Sequence, residues 1–448
     1  MKINKRFLIF DAVVHRRSKM LKQIVSLCLT VAFAYSMSID EAVKYALNHS
    51  IAIKQSKTSA TITQIEHKIS KSEQFGEINL VADYNHYNSP RTLGPLTPSI
   101  MQSGVAIPES KDIFSVGILY TVPLFTGYAQ LRQIEIDTLS KSIANARLKL
   151  TKEEIAYNVR SLYLSVLAQK DMLNAQKVYI KALESLIKDI KMDIKAGKKA
   201  PIDSLKSEVE LENAKTYAMV LKSNITITKA TLWALLGKRI DKFTKVDIDP
   251  KSVISKEYRF SIKKLNKIIV EQLNIRKSQK MIEKSEALKL PQVSLQAYAG
   301  RNYGDDSTIH HLGWESEDIV QIGVHASYNL FDFGKRSGSI QKAKVAKMQA
   351  LLKMQQTLLD IKKQISKAKA KIALSFAQYK GSLAQLRLSK KSEKIEEVRY
   401  TSGVATINDL LLAKGHTQLA KAKVIEALYN YQKSLYYLDY ILERGVKR

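Results

Sequence analysis

Proline and glycine are scarce in this chain of 448 residues, eight and seventeen in all, and cysteine occurs once, at Cys28. So few helix breakers exclude a loop-rich or all-β fold and leave room for long uninterrupted helices. One cysteine excludes disulfides; its place in an apolar stretch near the start removes thiol catalysis and cysteine metal sites too. No run of about 20 apolar residues is present, which excludes a bundle of membrane-spanning helices. Catalytic constellations are also missing. His310-His311 has no third ligand at usable spacing, neighbours on an extended chain point opposite ways, and no glycine loop is built to cradle phosphate. No enzymatic activity, catalytic residue, metal or cofactor is expected.

What the chain has in plenty is positive charge, a formal +30. Its lysines are spread along helical stretches, as at Lys362, Lys363, Lys367, Lys369 and Lys371, and no nucleic-acid recognition motif accompanies them. They read as solvated helix faces, and nucleic acid is not expected as a partner.

Lys19 and Lys22 precede the apolar run from Ile24 to Ala34, which ends in the small-x-small triplet Ala32-Phe33-Ala34. That pattern predicts an export signal over residues 1–34, with Met20 as an alternative start. Bulky Leu27 stands before Cys28, so no lipid anchor is expected there.

The rest of the chain is duplicated. Gly117 aligns with Gly323, Leu124-Phe125 with Leu330-Phe331, Gly197 with Gly403 and Asp203 with Asp409, all at an offset of 206. The reading is a first repeat over 35–245 and a second over 246–448. Between the matched points, Tyr128 to Ala196 and Lys335 to Ser402 contain no proline and carry apolar residues at helical spacing. Each is expected to be one helix roughly 100 Å long. Shorter helices are predicted over Ile39–Glu73, Pro201–Leu236, Phe260–Leu288 and Ile407–Leu442, forming long antiparallel bundles.

Four strands are expected, near 78–87, 114–124, 291–300 and 320–330, because apolar and polar residues alternate there. Ile78, Leu80, Ala82 and Tyr84 fall on one face, as do Val116, Ile118, Tyr120 and Val122, then Val293, Leu295 and Ala297, then Ile322, Val324 and Ala326. Aromatic residues such as Tyr87, Phe125, Tyr128, Tyr303, Trp314, Phe331 and Phe333 lie near the strand ends. This is the pattern of a barrel with lipid outside and water inside. Four strands cannot close alone, so the barrel is expected to be shared among chains.

Ser38-Ile-Asp-Glu-Ala-Val-Lys-Tyr-Ala-Leu-Asn48, Pro123-Leu-Phe-Thr-Gly127, Leu235-Leu-Gly237, Leu290-Pro-Gln-Val-Ser-Leu295 and Arg399-Tyr-Thr-Ser-Gly-Val-Ala-Thr-Ile-Asn-Asp-Leu-Leu411 occur in this order and spacing. In these the chain resembles the TolC-like outer-membrane efflux protein family. The resemblance implies a mainly α protein with four strands per chain, which as a homotrimer forms a twelve-stranded barrel in outer-membrane lipid above a helical tunnel in the periplasm of a Gram-negative bacterium. It further implies a passive channel for drug, metal-ion or protein export, including type I secretion, docked to a periplasmic adaptor and an inner-membrane transporter. Asp203, Tyr400 and Asp409 match gate positions at the periplasmic tip, and Gly197, Arg399, Gly403, Val404 and Thr406 are the adaptor-contact candidates. Ala405 and Leu412 stand where an arginine and a second gating aspartate are implied. The alternative is a periplasmic coiled-coil scaffold or an adaptor without a pore; an adaptor carries compact β domains around a single hairpin, whereas this chain has two matching helical units with strands inside them.

Overall fold

A computed structural model describes residues 36–104, 108–250, 261–305 and 314–446. The export signal with Met20 and Cys28, and the pair His310-His311, lie outside these residues. The helices are α1 (Ile39–His49), α2 (Ile51–Ser72), α3 (Pro98–Gln102), α4 (Ala129–Lys195), α5 (Pro201–Leu236), α6 (Asn266–Ala287), α7 (Lys335–Thr401) and α8 (Ile407–Ile441). The strands are β1 (Glu77–Thr92), β2 (Glu109–Phe125), β3 (Gln292–Asp305) and β4 (Trp314–Ser327). Helices α4 and α7 each run for 67 residues. Both ends of that pair, and the starts of α5 and α8, obey the offset of 206. Among the described residues no helix is long and apolar enough to cross a membrane.

Two compact units share the chain. The first takes in the described parts of 1–51, 155–256 and 368–437; the second those of 52–154, 257–367 and 438–448.

In the second unit the strands form an antiparallel sheet in the order β1-β2-β3-β4. Partners across an antiparallel ladder share a face. Leu80 pairs with Ile118, Ile118 with Ala299 and Ala299 with Val320, and the next rung joins Ile78, Tyr120, Ala297 and Ile322. The four predicted apolar rows therefore lie on one side, and they are uncovered: Leu80 is 79%, Ile322 74% and Val320 85% exposed. Near the loop end of this side, Arg301 bonds Asp318 in bidentate fashion at 2.6 and 3.0 Å. The opposite side carries rungs such as Asp83, Ser115, Asn302 and Glu317. There the ring of Tyr298 lies over Gly117 and Gly300, where a Cβ on Gly117 would sit 2.7 Å from it. No strand pairs with the outer edge of β1 or of β4 among the described residues.

Strand limits depart from those predicted. β1 and β2 continue past the alternation, through Arg91 opposite Ser110 and Thr92 opposite Glu109, because a backbone ladder needs no apolar side chains. Pro90 sits in the register shift that precedes these pairs, the place where a missing N–H is tolerated. β4 begins earlier than expected and stops at Ser327, opposite Gln292. Pro291 precedes Gln292 and offers no donor to carry the ladder on.

Helix limits follow their caps. Ser38 starts α1 with a capping box to Glu41. The single helix expected over 39–73 is divided at Ser50, whose ψ of 133° is extended. In the first unit the connection after α5 is stitched to the segment before α1: Met37 bridges Phe243 in parallel, and the fully buried Tyr163 hydroxyl lies 2.6 Å from the Met37 carbonyl and 2.9 Å from that of Thr244. In the second unit α6 starts at Asn266, later than predicted. Its N-cap residue, Leu265, has no side-chain oxygen, and the Glu443 carboxylate instead accepts from the N–H groups of Asn266 and Lys267 at 2.5 and 3.0 Å. A carboxylate suits the positive end of the helix.

Candidate functional site

All the candidate residues lie in the first unit, at the turns that join α4 to α5 and α7 to α8. The two turns are built alike. Each long helix ends in a left-handed glycine, Gly197 at φ 70° and Gly403 at φ 77°, a conformation costly for any residue with a Cβ. Beyond each glycine an N–H reaches five residues back, Lys198 to the Asp193 carbonyl and Val404 to the Arg399 carbonyl, both at 2.8 Å. These bonds again correspond at an offset of 206.

The turns differ in how the next helix is capped. α8 is preceded by Thr406, whose hydroxyl accepts from the Asp409 N–H at 3.3 Å while the Asp409 carboxylate takes the N–H and hydroxyl of Thr406 at 2.9 and 2.7 Å. Those bonds, with Arg399 nearby, hold the Asp409 carboxyl below the usual range. At the equivalent place before α5 stands Ala200, which offers no side-chain cap. Pro201 needs no donor there, and Asp203 is left without a local hydroxyl. Its carboxylate accepts from the Tyr400 hydroxyl at 3.0 Å, across 197 residues of chain.

Tyr400 is 5% exposed and packs with Ile190, Ile407 and Leu410, flanked by Leu186, Ile194 and Leu411. Burial, followed by the Asp203 carboxylate, pushes its hydroxyl well above the ordinary tyrosine range. The structure therefore brings Tyr400 and Asp203 together and leaves Asp409 engaged within its own turn. Arg399 pairs with Glu396 on its own helix at 2.8 Å, Val404 is 70% exposed, and Thr406 serves as the cap.

Lys199 was not among the candidates named from the sequence. Its ammonium donates to the Tyr400 carbonyl at 2.9 Å and lies 3.8 Å from the centre of the Tyr400 ring. The one available signal was its offset partner, Ala405, the uncharged residue at the same place in the other turn.

Farther from the turns the helices of this unit enclose polar pairs. Lys414 is buried within reach of Glu393 and Glu397, at 3.4 and 3.1 Å, and Gln418 donates to Gln176 at 2.8 Å. Tyr179 donates to Glu210 and Tyr429 to Asp171. Such pairs hold helices in register and carry no reactive geometry.

A family model described as outer membrane efflux protein matches residues 42–238 and 267–442, one segment in each repeat. A solved membrane protein from Pseudomonas aeruginosa superposes with a TM-score of 0.74 at 16% identity, covering 90% of this chain and 93% of that one. The CmeC outer membrane channel of Campylobacter jejuni gives 0.74 at 16% identity, over 91% of this chain and 86% of that. The outer membrane protein VceC of Vibrio cholerae gives 0.71 at 13%, over 90% and 96%. At such identities the likeness is one of fold. No curated protein matches the sequence.

Proposed function

This chain belongs to the outer membrane efflux protein family, and on that premise we propose that it is the outer-membrane duct of a tripartite export system. Three copies close the barrel, four strands from each, and the helices continue it as a tunnel through the periplasm. The carrying observation is the sheet, with one continuous apolar face left uncovered and two unpaired edges. Lipid suits that face, and open edges call for further strands.

The neighbouring helices support the same closure. Ile62, Ile65 and Ile69 form an exposed seam on α2, which leads into β1, and Val345, Met348 and Leu352 form another on α7, which follows β4. Seams at coiled-coil spacing beside two open strand edges suit a second copy of this chain. Each repeat, 35–245 and 246–448, supplies two strands, one long helix and one periplasmic turn. The turns form the entrance, held shut by Tyr400 and Asp203, and Gly197, Arg399, Gly403, Val404 and Thr406 present the surface for an adaptor. The adaptor links the duct to an inner-membrane transporter that supplies the energy; the duct itself conducts passively.

Purified protein in planar bilayers is expected to give discrete single-channel currents, with a detergent-corrected mass of three chains. A water-soluble monomer that carries no current would refute this function.

A further inference from the structure

We propose that Lys199 is a positioning residue of the entrance, a cation that holds the end of α7 in its closed place by gripping Tyr400 from the facing turn. This rests on the reading of the turns as a gate and identifies the residue that makes the closure one-sided.

Three parts of Tyr400 are held from the α4–α5 turn. Its hydroxyl is taken by Asp203 at 3.0 Å, its carbonyl by Lys199 at 2.9 Å, and its ring face lies 3.8 Å from the same ammonium. The carbonyl belongs to the last turn of α7, the negative end of that helix, where a cation is favoured. The ring faces a charge partly withdrawn from water, which strengthens cation–π attraction. Anion and cation stand four residues apart on one turn and converge on one tyrosine.

The offset of 206 supplies an internal control. The counterparts of Lys199, Tyr400 and Asp203 are Ala405, Ile194 and Asp409. Ala405 has no charge, Ile194 no hydroxyl, and Asp409 is bonded to Thr406. The reciprocal grip cannot form, so the turns are fastened from one side only. Neighbouring Lys198 is exposed, which makes it a matched control for the loss of one positive charge.

The test is the open probability of the assembled protein in planar bilayers, with oligomer mass and thermal stability measured in parallel. Lys199→Met keeps most of the side chain and removes the charge; it is expected to raise the open-to-closed ratio about tenfold. Lys199→Arg should stay closed, as should Lys198→Ala. Lys199→Gln, which keeps a donor for the carbonyl and offers no charge to the ring, should fall between and serves if Lys199→Met does not assemble. If Lys199→Met and Lys199→Gln gate like the parent while Tyr400→Phe leaks, the role of Lys199 is refuted and the gate stands. If Tyr400→Phe does not leak either, the gate itself is refuted, and this proposal with it.

Discussion

Tyr400→Phe isolates one bond. The ring stays, and with it the packing against Ile190, Ile407 and Leu410; what goes is the hydroxyl 3.0 Å from Asp203. A hydrogen bond to a charged group contributes about 1.5–3 kcal/mol. Asp203 is only half-buried, and water can replace the lost donor, so the lower end applies: about 1.5 kcal/mol, roughly a tenfold shift toward the open state for each chain. Should three chains open together, the shifts add to about 4.5 kcal/mol, some three powers of ten. Single-channel recording tells these regimes apart, because independent opening gives sub-conductance steps and concerted opening gives full ones. The pH dependence follows from the raised hydroxyl pKa. A group raised on folding keeps its contribution below its unfolded value and loses it as pH rises through the folded one. The parent channel should therefore stay shut up to about pH 10, the ordinary tyrosine value, and Tyr400→Phe should leak throughout that range. A variant that folds, assembles and gates like the parent would show that the Tyr400–Asp203 contact only fills space.

Other outcomes are as specific. Gly117→Ala must displace the Tyr298 ring and is expected to cost about 1–3 kcal/mol, read as a lower melting temperature of the assembled barrel, whereas Gly323→Ala, with open space at its Cβ, should be tolerated; equal effects would contradict the described packing. Tyr163, whose hydroxyl burial pushes up to about 12, supports stability below about pH 10 that fades between pH 10 and 12. Tyr163→Phe should lower the neutral plateau by about 1–2 kcal/mol and remove the part of the alkaline decline lying in that window; a decline unchanged in denaturant titrations would exclude this hydroxyl. Asp409→Ala should loosen the first turn of α8 and, through Ile407 and Leu410, raise leak. Amide exchange at 407–410 and current at rest, both unaltered, would remove Asp409 from the entrance.

The long helices were legible because their signals are local. Proline is absent from the helix interiors, the isolated Gly338, Gly381 and Gly415 interrupt neither α7 nor α8, and the apolar period carries through, so α4, α5, α7 and α8 begin and end within a residue or two of expectation. The sheet's apolar side was legible because alternation survives in each strand separately. Strand ends were not, since Arg91 and Thr92 pair through backbone alone and β4 stops where its partner's proline ends the ladder. At the turns, Asp203 and Asp409 look equivalent in the sequence and behave differently because Thr406 supplies a hydroxyl that Ala200 lacks. Lys199 was unreadable for another reason: its partner lies 201 residues away, and only the folded chain sets the two side by side. Glu443 capping α6 from 177 residues away is the same kind of event.

The unpaired outer edges of β1 and β4 bear on how the chain is made. A lone copy carries two rows of unsatisfied backbone groups beside a bare apolar face, and any strand it meets can join them. On the proposed closure by copies of this chain, assembly becomes a matter of mass action, its rate set by local concentration rather than by the chain's own collapse. Such a chain has an interval between crossing one membrane and entering the next in which it must be escorted or kept dilute. Its yield in the cell should depend on periplasmic chaperones more steeply than on the stability of its helices.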